Sequence, residues 1–166
     1  MKRALFLIVL GVMCGGISLA QKVTQGSFSA LADVHRAAVE IDYSEGMIQG
    51  MSEEDYSFYE PDWERDRASV GGKFIAMFND KQRRIFLTSK TEGATCIMVL
   101  KVLNVTRQGD IRAEILMKDP STNEILLAIG NIAVKGGHFG SGLNLMGDGM
   151  KNLGEKMAYY FKRHLK

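Results

Sequence analysis

Residues 95–134 read TCIMVLKVLNVTRQGDIRAEILMKDPSTNEILLAIGNIAV. The first run, 95–105, is apolar on both faces of an extended chain, which is typical of a strand buried at the centre of a sheet. Residues 111–118 alternate between apolar and polar side chains, and residues 125–134 form another apolar run. Short turns rich in Gly, Asp, Pro and Asn join the three runs. The stretch therefore predicts three consecutive antiparallel strands, a meander.

A long amphipathic helix is predicted after the meander, over residues 140–165. Its apolar residues recur every three or four positions and form one stripe: Phe139, Leu143, Met146, Met150, Leu153, Met157, Phe161 and Leu165. Gly147 and Gly154 lie two turns apart beside this stripe, where each lowers helix propensity. We therefore expect the helix backbone to approach its neighbour closely at these glycines.

Two strands and one helix are predicted before the meander. Residues 22–31 form a first extended segment, and residues 38–43 alternate as a half-buried strand does. A helix begins at Asp62, among acidic residues, and ends at a basic cluster that includes Lys81. The predicted fold class is α+β, with the order strand, strand, helix, three-stranded meander, helix. We expect a mainly antiparallel sheet of four or five strands, with the two long helices packed on one face.

The first twenty residues have the pattern of a secretory signal. Lys2 and Arg3 precede an apolar run, and Ser18 and Ala20 are small residues at the positions that a signal peptidase reads. We expect cleavage after Ala20, which leaves residues 21–166 as a single periplasmic or secreted domain. The alternative is a membrane anchor, but the apolar run is at the lower limit of length for a span and contains three glycines.

Charge and cysteine content exclude several function classes. The chain has 21 basic and 19 acidic side chains, and removal of Lys2 and Arg3 would leave the two numbers equal. Because a neutral chain has no overall field to hold a polyanion, we expect no nucleic acid partner. Cleavage would also remove Cys14 and leave Cys96 as the remaining cysteine. Cys96 lies in the doubly apolar strand, so we expect an inert buried thiol.

Residues 52–66 carry seven carboxylates interleaved with aromatic side chains. One interpretation is an acidic, aromatic surface for a cationic ligand, in which Tyr56 and Trp63 are candidate ligand-binding residues. The favoured alternative is local: Ser52 and Asp62 begin two helices, and acids in a first turn stabilise the positive end of the helix dipole.

Residues 136–149 contain six glycines between a strand and a helix, which is where phosphate-binding loops lie. Asp148 stands where such a loop needs its lysine, and no strand follows the helix, so the parallel crossover unit is missing. The glycines that flank Ser141 directly do not have the spacing of a nucleophile elbow. We therefore expect a loop that turns the helix back onto the sheet, and within it His138, Ser141 and Asp148 are candidates for ligand binding.

The three histidines, His35, His138 and His164, are scattered along the chain without the spacing of a metal site. We therefore predict neither a metal nor a cofactor. No set of catalytic residue types converges in the sequence, which favours a non-catalytic role.

The order of elements resembles a known group of proteins. It is carried by residues 94–134 with their turn Asp119-Pro120-Ser121-Thr122-Asn123-Glu124, then Gly136-Gly137-His138-Phe139-Gly140-Ser141 and the terminal helix. Together they resemble small secreted bacterial α/β proteins similar to the amino-terminal domain of the Tol-system translocation protein and to envelope accessory lipoproteins. The resemblance implies an envelope location and a non-catalytic role, and it assigns no functional residue. The chain differs from the lipoproteins because Met13 stands before Cys14, where lipidation requires a small residue.

The sequence thus predicts a non-catalytic binding or assembly module of the bacterial envelope, with an envelope protein or a small molecule as its partner. Two alternatives stay open. One is a secreted hydrolase with a site near residues 136–149, and the other is a membrane-surface protein that uses helix 140–165, although this helix lacks a rich basic face.

Overall fold

Seven strands and three α-helices make up the part of the chain that the structure, a computed structural model, describes, residues 20–165. In chain order they are β1 (Lys22–Gly26), β2 (Arg36–Asp42), β3 (Met47–Ile48), α1 (Glu53–Tyr59), α2 (Trp63–Lys81), β4 (Phe86–Thr88), β5 (Cys96–Val105), β6 (Ile111–Lys118), β7 (Ile125–Val134) and α3 (Gly142–His164). The predicted signal sequence, except Ala20, and Cys14 lie outside the described residues.

The strands form one mixed sheet in the order β1-β7-β6-β5-β2-β4, and β3 pairs with the far end of β5. The meander β5-β6-β7 is antiparallel, as predicted, and β1 is antiparallel to β7. However, β2 runs parallel to both β5 and β4, and β3 runs parallel to β5. The prediction of a mainly antiparallel sheet of four or five strands is therefore wrong, while the α+β class is confirmed. Long connections separate β2 from its neighbours, and such connections allow parallel pairing.

Strand β5 is central in the sheet, as predicted, but it is not buried on both faces as expected, because Leu103 on the second face is exposed. It pairs with β6 along one edge and with β2 and β3 along the other. Cys96, Met98 and Leu100 have no solvent-accessible surface and belong to the core.

Strand β1 is shorter than the predicted extended segment 22–31. It ends at Gly26, whose φ of 69° lies in the left-handed region, and a 3-10 turn, Phe28–Leu31, follows. A Cβ at Gly26 would collide with the backbone carbonyl of Leu126 on β7, so glycine is required for this bend.

The two long helices begin and end close to their predicted positions. Within α3 the predicted apolar stripe is fully buried at Met146, Met150, Leu153, Met157 and Phe161. Its predicted first member, Phe139, lies before the helix and is 91% exposed. Helix α3 packs against α2 and against β6 and β7.

Gly154 confirms the predicted close approach of helix backbones. A Cβ at this position would lie 2.5 Å from the carbonyl oxygen of Phe74 in α2. One turn further along α2 and two turns further along α3, the rings of Phe78 and Phe161 meet edge to face at 5.4 Å. From the first contact to the second, the residue numbers rise in both helices, so α2 and α3 run in the same direction. A Cβ at Gly147 would instead meet the side chain of Lys73. At Gly147, therefore, α3 faces a side chain of α2 and not its backbone.

Candidate functional site

A groove of about 710 Å³ lies between α2 and the part of the sheet formed by β2 and β4. Val39 and Ile41 contribute apolar side chains from β2, and Ile75 contributes one from the helix. Between Arg67 and Asn79, which lie at the two ends of the groove, most of the helix wall is low because the side chains there are short. We call this feature the α2 groove.

Three small residues make the helix wall low: Ala68, Gly72 and Ala76 lie one turn apart and are all exposed. A Cβ at Gly72 would have no atom within 4 Å. The neighbouring Gly71 is different, because a Cβ there would lie 2.5 Å from Cδ1 of Ile41. Gly71 thus lets α2 pack on β2, whereas Gly72 leaves space that nothing in the described chain fills.

Part of the edge of β2 is open toward the α2 groove. Strand β4 pairs only with residues 36–38 of β2, so residues 39–42 have no strand partner on this side within the described chain. The carbonyl of His35 accepts from Phe86 N–H on the β4 side at 2.8 Å. Because backbone groups alternate along a strand, those of Ile41 also point to this side. This edge can form strand hydrogen bonds beside an apolar surface.

Arg67 lies at one end of the open edge and is held by three contacts. Its Nη2 donates to the carbonyl oxygen of Ile41 at 3.3 Å, and its Nη1 pairs with Oε1 of Glu53 at 3.0 Å. The guanidinium carbon also lies 5.6 Å from the centre of the Tyr43 ring. Arg67 therefore gives one carbonyl of the open edge a partner and links α1, α2 and β2.

Asn79 closes the other strand edge at the opposite end of the groove. Its Nδ2 donates to the carbonyl oxygen of Leu87 at 2.8 Å, and its Oδ1 accepts from Leu87 N–H at 2.8 Å. The outward backbone groups of β4 are thereby satisfied. The strand edge that remains open in the groove is that of residues 39–42.

Tyr56 and Trp63, the predicted aromatic ligands, belong to the core instead of forming a surface. They are 2% and 1% exposed, and their rings meet edge to face at 5.1 Å. Trp63 Nε1 donates to Oε1 of Glu53 at 3.2 Å, and burial raises the pKa of Tyr56. The sequence could not predict this burial, because the aromatic residues of the short helix α1 do not show which of its faces packs against the core.

The capping alternative accounts for the same segment. Ser52 Oγ accepts from Asp55 N–H at 3.1 Å and caps α1. Asp62 occupies the predicted position before α2, although its side chain makes no capping hydrogen bond and pairs with Arg65 at 3.2 Å. The acids thus lie at the starts of the two helices, as the alternative predicted.

The other predicted candidates lie around the start of α3. His138 is exposed and borders a depression of about 460 Å³ together with Asp148. Ser141 does not border this depression, and its Oγ accepts from Asn144 N–H at 3.4 Å as the cap of α3. The structure thus brings together two of the three candidates. Among residues 20–165, no three His, Cys, Asp or Glu side chains are grouped as metal ligands.

The glycines of this loop permit contacts between backbones. A Cβ at Gly136 would collide with the carbonyl of Gln108, and one at Gly149 with the carbonyl of Gly109. The turn between β5 and β6 is thus packed against both the loop and the first turns of α3. This supports the prediction that the loop turns the helix back onto the sheet.

No protein-family model matches the chain, and no curated protein is similar to it. It is similar to a solved structure of the PelC dodecamer from Paraburkholderia phytofirmans, with 12% identity and a TM-score of 0.42 over 80% of this chain and 97% of that chain. A point variant of that dodecamer has 12% identity and a TM-score of 0.44 over 86% and 98%. A protein described as uncharacterized has 12% identity and a TM-score of 0.37 over 79% and 88%. These values are too low to carry a function to this chain. Within the described residues, no helix has the length and apolar character needed to cross a membrane.

Proposed function

We propose that the chain is a non-catalytic binding module of the bacterial envelope, exported and cleaved after Ala20, that binds an extended polypeptide segment of its partner in the α2 groove. The observation that carries the proposal is the open edge of residues 39–42 beside an apolar surface. The proposal takes α2 and α3 to lie side by side on one face of the sheet. The resemblance to the Tol-system domain remains a prediction that agrees with this location.

Cleavage after Ala20 is compatible with the first element of the described residues. Strand β1 starts at Lys22, directly after the predicted cleavage site. Cleavage after Ala20 would therefore leave all the described strands and helices in place. The pattern of residues 1–20 remains the reason to propose export at all.

An extended peptide matches the groove in two ways. Its backbone can pair with the open edge of β2, in the position beside β2 that β4 no longer occupies after Thr88. Every second side chain of the peptide would then point toward the apolar surface that includes Val39 and Ile75. Strand addition of this kind draws affinity from backbone hydrogen bonds and specificity from side-chain pockets.

The two earlier alternatives receive less support. For a hydrolase near residues 136–149, Ser141 is occupied as a helix cap and lies outside the depression that His138 and Asp148 share. For a membrane-surface protein that uses α3, five residues of the apolar stripe are already buried in the core, and the exposed Phe139 lies before the helix begins.

The test uses random extended peptides displayed on phage and selected on the purified protein. Gly72→Leu should place a side chain in the α2 groove and weaken binding of the selected peptides by about tenfold or more, equivalent to about 1.4 kcal/mol. Gly72→Ala is the matched control, because its methyl group meets no atom and should leave most of the groove open. In the complex, the amide of Ile41 should exchange with deuterium more slowly than in the free protein.

Three results would count against the proposal. The selection could enrich no peptide, the selected peptides could bind Gly72→Leu as tightly as the native protein, or exchange at Ile41 could stay unchanged on binding. Unfolding curves of both variants must first show that they fold.

A further inference from the structure

A second cavity, of about 460 Å³, lies where α2 and α3 end. The two helices run in the same direction, so their C-terminal ends meet. Lys81 and Lys162 line the cavity from the last turns of the two helices, and Tyr159 and Leu165 line it from α3 and the residue after it. This basic cavity shares no lining residue with the α2 groove.

The charge of the basic cavity is strongly positive. Its lining includes four cationic side chains, Lys81, Arg83, Arg84 and Lys162, and one carboxylate, Asp80. Asp80 is paired with Lys81 at 2.8 Å. Within residues 20–165, no carboxylate lies within salt-bridge distance of Arg83 or Lys162.

Gln82 adds a buried hydrogen-bond donor that has no partner. The residue is 3% exposed, and its side-chain Oε1 accepts from the backbone N–H groups of Arg84 and Ile85, the latter at 3.4 Å. These two contacts fix the orientation of the amide, because a flipped amide would place Nε2 against two donors. Nε2 is buried without a hydrogen bond among the described residues. Buried polar groups in folded proteins nearly always have a partner, so this donor requires an explanation.

Helix dipoles explain only part of this arrangement. Cations in the last turn of a helix interact favourably with its negative end, and this accounts for Lys81 and Lys162. Arg83 and Arg84 follow the end of α2, and the dipole gives no reason for a buried amide donor beside them. An anion in the cavity would account for the cluster of cationic side chains, whose charge it would offset. It would also account for the buried amide donor of Gln82, from which it would accept a hydrogen bond.

We propose that the basic cavity, which Gln82 also lines, binds a phosphoryl group that pairs with Arg83 and Lys162, and that the Gln82 amide shifts on binding so that its buried Nε2 donates to this group. A phosphoryl group has enough oxygens for donors that approach from several sides, and a guanidinium group can bind it through two hydrogen bonds. Tyr159, which is half exposed, and Leu165 offer a less polar side for the organic part of a phosphate ester. The group could come from a soluble phosphate ester or from an anionic lipid headgroup.

The test measures binding of glycerol 3-phosphate by calorimetry in low-salt buffer, and binding to vesicles of phosphatidylcholine with or without phosphatidylglycerol. The double variant Arg83→Gln/Lys162→Gln should weaken binding by about tenfold or more. The matched control is Arg107→Gln/Lys151→Gln, which removes the same charge from exposed positions outside the cavity and should retain most of the affinity.

A third variant, Gln82→Glu, keeps an oxygen for the N–H groups of Arg84 and Ile85 but replaces the unpaired donor with an acceptor. It should lose binding as strongly as the double variant if it folds, and the double variant decides alone if it does not. Binding to the soluble ester would identify a soluble ligand, and binding only to phosphatidylglycerol vesicles would identify the headgroup. The proposal is overturned if neither probe binds, if the two double variants lose the same amount of affinity, or if a folded Gln82→Glu variant binds as tightly as the native protein.

Discussion

Replacing three glycines by alanine should reveal three different environments on the long helices. A methyl group would meet no atom at Gly72, a flexible lysine side chain at Gly147 and helix backbone at Gly154. At Gly154 the new Cβ would lie 2.5 Å from the carbonyl oxygen of Phe74, whereas ordinary contact begins at 3.4 Å, so α2 and α3 must separate locally by about 0.9 Å.

The expected changes in the free energy of unfolding follow from two opposing effects. Alanine in a helix interior is more favourable than glycine by about 0.5–1 kcal/mol. Overpacking costs about 1–3 kcal/mol. Gly72→Ala should therefore stabilise the protein by up to about 1 kcal/mol, and Gly154→Ala should destabilise it by up to about 2 kcal/mol. Gly147→Ala should lie between them, because the side chain of Lys73 can move.

Urea unfolding, followed by the fluorescence of the buried Trp63, measures the three values. The m-values should be unchanged, so that shifts of the midpoint report stability. Gly154→Leu should destabilise more than Gly154→Ala, because its side chain is larger. The reasoning would be refuted if Gly154→Ala were as stabilising as Gly72→Ala, since α3 would then not pack against the backbone of α2.

Three further predictions concern processing, the buried thiol and the start of α3. The intact mass of the exported protein should correspond to a chain that begins at Gln21, and a mass that includes residue 1 would contradict cleavage. Cys96 should resist alkylation in the folded protein at neutral pH and react after denaturation, because it is inaccessible and burial raises the pKa of its thiol to about 11; rapid labelling of the folded protein would contradict its central position. Ser141→Ala should lower the free energy of unfolding by about 1 kcal/mol through loss of the helix cap, whereas His138→Ala, at an exposed position, should leave it unchanged. Equal effects of these two changes in urea unfolding would show that the cap does not contribute.

The meander could be predicted from the sequence because its pairings are local. Strands β5, β6 and β7 are each long enough for their patterns to be recognised, and short turns join them. Strand β4 has three residues and β3 has two, which is too few for any alternation to be distinguished from chance. The parallel partners of β2 are distant in sequence, so their pairing depends on tertiary packing that no local pattern encodes.

The candidate sites were less predictable for the same reason. Tyr56 and Trp63 were identified as aromatic residues near acids, but their burial depends on Tyr43, which packs against Trp63 from another part of the chain. The α2 groove was missed, although the spacing of Ala68, Gly72 and Ala76 is visible in the sequence. Small residues on a helix predict close packing and open space equally well. The open edge of β2 distinguishes the two, and it exists only because β4 is short.

The different connections to β5 also have a consequence for the order of folding. Strand β6 follows β5 after a short turn, whereas β2 reaches β5 across residues 43–95. Because closing a long loop costs more entropy than closing a short one, we expect the meander to form first and β2, α2 and β4 to dock later. In native-state hydrogen exchange, β6 and β7 should then be protected more strongly than β2 and β4. If the chain is exported from its N-terminus, β2 emerges before the strand that it pairs with, and its edge stays available to other chains until β5 arrives.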